Sequence, residues 1–175
     1  MKTWNIPVLM LSALLALPAA AEKPQVRPYA AGSLVGGIPQ WNPGDKFVAI
    51  AGGSCSGNCP EYELYVFDDG RVTFVGRKNT GKTGVWKKQV DAQAYGELLT
   101  LIVRTGVLDP ETRIKRGTCL KGRPVLTVMR SAPDGQSMLM QLLNSGCEGY
   151  ADISRDIERL FIEWTEITPW LAPKK

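Results

Sequence analysis

The chain contains no histidine. That absence removes the Ser-His-Asp and Cys-His arrangements of nucleophilic catalysis and most catalytic metal designs. C-x2-C spacing is also missing, so the usual zinc sites and thioredoxin-like redox motifs have no sequence basis. Long apolar runs are scarce. The only substantial one, residues 6–21, holds 16 residues and is interrupted by Pro7 and Pro18. A membrane-spanning helix needs ~20 apolar residues, so no transmembrane anchor is expected in the mature chain.

What the run does fit is export. It follows Met1-Lys2 and closes on Ala19-Ala20-Ala21. A short basic start, an apolar middle and small residues at the cleavage position describe a secretory signal peptide over residues 1–21. No cysteine follows the run, which argues against a lipid anchor. A mature chain starting at Glu22 loses Lys2, taking Lys+Arg from 21 to 20 against 17 acids, a net charge of +3. Such a mild excess compels no partner, and export argues against nucleic acid. The expected location is periplasmic or secreted.

Four cysteines remain: Cys55, Cys59, Cys119 and Cys147. An even count in an exported chain reads as disulfides. Three pairings are open. Cys55–Cys59 with Cys119–Cys147 is the simplest, because Gly57 lets the short loop fold back. Loop-closure entropy would make the long bridge worth roughly 3.5 kcal/mol and the short one about 2.

Residues 22–44 carry Pro24, Pro28, Pro39 and Pro43 among several glycines and read as a linker. A single stapled domain follows over 45–170, with a tail at 171–175. Strands are expected at 46–51, 61–68, 71–75 and 84–90. Asp91 then caps a helix whose apolar face is Tyr95, Leu98, Leu99, Ile102 and Val103, and Gly106 stops it. Two more strands, 125–130 and 136–143, flank the turn signal Ala132-Pro133-Asp134-Gly135. A last helix spans 151–166 with Ile153, Ile157, Leu160, Phe161 and Trp164 as its stripe, and Pro169 ends it. The order ββββ-α-ββ-α, built from hairpins, predicts an α+β fold: an antiparallel sheet with two helices on one face.

The 61–75 hairpin can be read to its register. A two-residue loop mixes its faces. A three-residue loop with Gly70 left-handed sets Leu64 opposite Phe74 and Val66 opposite Val72, making one face uniformly apolar. Tyr65, Phe67, Arg71 and Thr73 then form the other face. That face is the candidate binding surface, unless residues 22–44 or the Trp170-Leu171 tail cover it.

This organisation resembles an uncharacterised domain of exported bacterial proteins with the signature C-x3-C-P-x-Y, a D-G hairpin and a helix. Cys55, Cys59, Pro60, Tyr62, Asp69 and Gly70 carry the likeness. It implies fold and export but no activity, no catalytic residue and no cofactor.

Other motifs weigh little. Residues 76–83, Gly76-Arg77-Lys78-Asn79-Thr80-Gly81-Lys82-Thr83, match the phosphate-binding G-x-x-x-x-G-K-[ST] pattern. The stretch after Thr83 reads as a strand where that motif needs a helix, so no nucleotide is expected. Asp68 and Asp69 suit a turn, and Glu61 and Glu63 share a strand face without a catalytic partner. Arg77, Lys78, Lys82, Lys87 and Lys88, and the loop set Arg113, Lys115, Arg116, Lys121 and Arg123, read as solvated basic loops. The sequence thus favours a noncatalytic envelope module that binds or modulates an unidentified protein or envelope component. A thiol–disulfide protein using Cys55 and Cys59, or a secreted hydrolase inhibitor, are the alternatives.

Export predicts cleavage after Ala21. The intact mass of protein recovered from the periplasm should correspond to a chain beginning at Glu22, and retention of Met1 would refute the signal peptide.

Overall fold

The short hairpin loop sets the geometry of the whole sheet. Strand β3 (Glu61–Phe67) and strand β4 (Arg71–Lys78) pair with Leu64 opposite Phe74, Tyr65 opposite Thr73 and Val66 opposite Val72, the register expected from the three-residue loop. Gly70 turns the corner at φ +81°, where a side chain would be strained. It would also collide with the Val90 carbonyl.

The computed structural model describes residues 29–30, 41–42, 44–53, 55–109, 119–134 and 137–172. The signal peptide read at 1–21, most of the 22–44 stretch and residues 110–118 of the basic loop lie outside them. The remaining elements are β1 (Tyr29–Ala30), β2 (Phe47–Gly52), β5 (Gly84–Gln89), α1 (Gln93–Thr105), β6 (Val125–Ser131), β7 (Ser137–Asn144), α2 (Ala151–Thr165) and α3 (Thr168–Leu171). The strands form one antiparallel sheet in the order β1-β7-β6-β2-β3-β4-β5. The fold is α+β, as the hairpin order implied. Among the described residues no helix is long and apolar enough to cross a membrane.

The two long helices cover one face of the sheet. Val48, Ile50, Leu64, Val66, Val72, Phe74, Leu126, Val128 and Leu143 meet Ala94, Leu98, Ile102, Ile157 and Phe161 in the main core. Both helical faces are rotated slightly from expectation. In α1, Ala94, Leu98, Leu101 and Ile102 are buried, while Val103 is 62% exposed. In α2 the buried line is Ser154, Ile157, Phe161 and Thr165, and Trp164 sits at the rim. In each helix bulky residues hold the middle of the buried line, Leu98 and Leu101 in α1 and Ile157 and Phe161 in α2, with the small residues Ala94, Ser154 and Thr165 at its ends. Helix α2 also ends differently. Glu166 adopts φ +51° and donates its N–H to Glu163 O. Pro169 instead lies in the first turn of α3, where its missing N–H costs nothing.

The second sheet face is covered too. Trp41, Phe47, Ala49, Tyr65, Phe67, Met129 and Met138 form a separate buried cluster. The Trp41 and Phe47 rings lie 5.2 Å apart, and Phe47 is 5.7 Å from Tyr65. Trp41 belongs to the stretch read as a linker, and Tyr29–Ala30 of the same stretch pairs with β7.

Burial on this face fixes a mutational outcome. Replacing Tyr65 and Phe67 together by Ser should cost on the order of 5 kcal/mol or more, as core truncations do. Chemical denaturation measures it, and a cost below about 1 kcal/mol would mean the face is open in solution.

Candidate functional site

The proposed hairpin surface is not a surface. Tyr65 is 0% exposed, Phe67 1% and Thr73 6%. The covered alternative holds, and the cover includes Trp41 rather than the Trp170-Leu171 tail, which packs against the helix-side core. Only Arg71 reaches solvent. Its guanidinium lies 4.4 Å from the centre of the Phe67 ring and bonds Asp69 at 2.6 Å and Asp45 at 3.1 Å. The hydrogen bond from Arg71 also holds the Asp69 carboxyl below its usual range. Arg71 thus seals the edge of a core.

The four cysteines form two bridges, Cys55–Cys59 and Cys119–Cys147. Their surroundings are tied together. Ser56 N–H donates to Gly122 O at 3.0 Å, Gly53 N–H to Val125 O at 2.8 Å and Leu120 N–H to Gly146 O at 2.9 Å. The first bridge tightens the turn before β3, and the second joins the approach to β6 with the turn before α2.

These stapled segments enclose a cleft of about 350 Å³. Gly52, Gly53, Cys59 and Pro60 form one wall, and Pro124, Val125 and Leu126 another. The N-terminal half of α2 supplies Ala151, Ser154, Arg155 and Glu158, and Arg123 and Ser145 complete the rim. Gly52 faces the Tyr62 ring so closely that a Cβ there would run into it. The ring is buried, and its hydroxyl donates to Glu158 Oε1 at 2.7 Å. Burial, then the Glu158 charge, pushes the Tyr62 phenol well above its ordinary pKa, so it remains a proton-bearing donor. Ser145 Oγ donates to Pro124 O and Ser154 Oγ to Ala151 O, so both hydroxyls are committed to backbone carbonyls. The cleft is therefore lined by Arg123, by Arg155 with its ion-pair partner Asp152 at 3.2 Å, by the Glu158 carboxylate that accepts from Tyr62, and by apolar side chains. That set can grip a polar or anionic group between hydrophobic walls.

Glu63 is buried in the sheet, where Arg77 Nε donates to it at 2.9 Å and a second guanidinium nitrogen pairs with the same oxygen. The Tyr65 hydroxyl donates to its other oxygen at 3.1 Å. Burial outweighs these partners and leaves the Glu63 carboxyl above the ordinary 4.5. Residues 76–83, the phosphate-loop match, close the β4–β5 hairpin, and strand β5 follows. The Lys82 ammonium lies 3.6 Å from the centre of the Trp86 ring and 5.5 Å from that of Trp170. A groove between Asp91, Glu163, Trp164 and Glu166 is acidic, but Lys88 Nζ already bonds Glu166 at 3.2 Å. Among the described residues no group of three or more Asp, Glu, Cys or His is placed to hold a metal. Of the basic loop, Lys121 and Arg123 are described and exposed.

Of the residues that carry the resemblance, Cys59 and Pro60 line the cleft and Tyr62 underlies it, whereas Asp69 and Gly70 form the turn at the far end of β3. The chain belongs to the DUF6438 family, a domain of unknown function whose pattern matches residues 46–142. No curated protein matches it. Glu158, Arg155 and Ser154 lie beyond the matched residues. No sequence signal singles them out, because they are ordinary helix residues until α2 docks beside the stapled turn.

Glu63 generates a pH test. The folded state favours its protonated form, so its contribution to stability is full below 4.5 and is lost as pH rises through the elevated value. The denaturation midpoint of the wild type should therefore fall relative to that of Glu63→Gln across this window. A constant difference between the two proteins would disprove the assignment.

Proposed function

We propose that this chain is a noncatalytic exported module of the bacterial envelope that binds another macromolecule, or tunes one, through the cleft beneath the Cys55–Cys59 turn. The observation that carries the reading is the composition of that cleft. Arg123 and Arg155 line it together with the apolar Pro60, Val125 and Leu126, around a volume of about 350 Å³. That space suits one or two side chains of a partner, or a small anionic group, held by charge-assisted hydrogen bonds. The hydroxyls of Ser145 and Ser154 donate to backbone carbonyls rather than to a base, and the Tyr62 phenol, though bonded to the Glu158 carboxylate, is buried and holds its proton. Rigidity supports the same use. Two staples and the cross-links between their loops hold the rim in place without a ligand, which lowers the ordering cost of binding.

Site-specific photocrosslinking in envelope extract tests this. A photoreactive residue at position 151, in the cleft lining, should capture a defined partner, identified by mass spectrometry, whereas one at the exposed position 97 should not. Arg123→Glu should abolish the capture. Equal yields from both positions would refute the cleft as a binding site. Thiol titration of the unreduced protein should find both bridges intact, and a readily reduced Cys55–Cys59 pair would favour thiol–disulfide chemistry instead.

A further inference from the structure

Strand β5 is the free edge of the sheet on the side away from β1. Its residues Val85, Trp86 and Lys87 are all exposed, Val85 to 42% and Trp86 to 40%. The direction of its backbone groups follows from one hydrogen bond. Val90 N–H donates to Gly70 O at 3.0 Å, in the same register that pairs Val72 with Lys88 and Phe74 with Trp86. Antiparallel pairing alternates, so Trp86 and Lys88 bond toward β4, while Val85 and Lys87 turn their N–H and C=O groups outward. Among the described residues no backbone hydrogen bond is made to those outward groups.

The side chains of this edge divide by face. Trp86 stands opposite Phe74, on the helix side, with its ring 6.4 Å from that of Trp170. Val85 and Lys87 stand opposite Val75 and Thr73, on the other side. Lys88 is neutralised by Glu166, whereas Lys87 has no acidic partner among the described residues and Lys82 lies over indole rings. The helix side of the edge thus carries indole rings with Lys82 over them and Lys88 already paired, and the other side carries Val85 and a Lys87 left unpaired among the described residues.

We propose that β5 is a docking edge for an extended segment of a partner protein that alternates acidic and apolar residues, added to the sheet as a further strand. Its backbone would pair with the outward groups of Val85 and Lys87. Its apolar side chains would lie beside Trp86 and Trp170, and its carboxylates beside Lys87. Lysine on an exposed edge ordinarily blocks sheet-to-sheet association. Here it also selects, because a basic or neutral strand must bury the Lys87 charge without compensation while an acidic one supplies it. The same charge disfavours a second copy of this chain, whose own edge carries the same lysines. This surface goes beyond the cleft reading and does not depend on it.

A capped peptide alternating Glu and Val, and its counterpart with Lys for Glu, serve as probes against the isotopically labelled mature protein. The acidic peptide should slow hydrogen exchange at the Val85 and Lys87 amides and shift the Trp86 indole resonance. Lys87→Pro removes the outward N–H together with the lysine charge and should weaken binding by at least about tenfold, the effect of losing one charge-supported hydrogen bond. Lys87→Glu should weaken it similarly and decides the matter if the proline variant does not fold. Unchanged exchange at both amides under saturating peptide overturns the proposal, as does equal binding of the basic peptide. Protection that appears without peptide and grows with protein concentration would assign the edge to a second copy instead. Binding that is lost in Arg123→Glu but unaffected by either Lys87 variant would place the peptide in the cleft, overturning the edge and supporting the cleft.

Discussion

Strand β3 is buried on both faces, with residues 62–67 all withdrawn from solvent. Most of the architecture answers to that constraint. One face needs helices, and α1 and α2 supply them against Leu64 and Val66. On the other face Phe47, Ala49, Met129 and Met138 stand beside Tyr65 and Phe67 in the same sheet, and Trp41 packs with them from outside it. A strand covered on both sides cannot leave a carboxylate without partners. Glu63, in the middle of β3, is accordingly clamped by Arg77 and the Tyr65 hydroxyl. The loss of either partner would leave a polar group buried without compensation.

The cleft follows from the same strand at its other end. Where β3 begins, the chain emerges from the Cys55–Cys59 turn and Tyr62 drops toward the helices, against the bare backbone of Gly52. Its hydroxyl meets Glu158 on α2, and this contact sets how the start of α2 stands relative to the stapled turn. Arg155, one helical turn earlier, is thereby held at the rim. The site thus combines a covalently restrained wall with a helix docked by Ile157 and Phe161 and tied to β3 through the Tyr62 hydroxyl. Neither part alone encloses a space, which is why the arginines acquire a common focus only in the folded chain.

Much of this was legible in the residues themselves. Alternation and turn chemistry gave the hairpins, because period-two patterns and Gly70 constrain local backbone strongly. The register of β3 and β4 followed from requiring one coherent apolar face. Parity and loop length made the observed cysteine pairing the simplest of three. Helix faces were less legible. Val103 and Trp164 look like core residues by spacing, yet Ala94 and Ser154 are buried in their place, because how far a helix is rotated about its axis is set by docking and not by spacing.

The second core was the larger difference. A hairpin face bearing Tyr65, Phe67, Arg71 and Thr73 is equally consistent with an interface and with an interior. The choice lay with Trp41, within a Pro/Gly-rich stretch that has no periodicity to reveal where it packs. By itself the sequence determined element type, hairpin register, stapling and overall class, since these depend on neighbours along the chain or on simple pairing rules. The tertiary structure alone decided which faces are covered, that Tyr62 meets Glu158, and that Arg123 and Arg155 share a cleft. Those contacts join residues tens of positions apart, and their energy depends on how whole elements dock rather than on any local pattern.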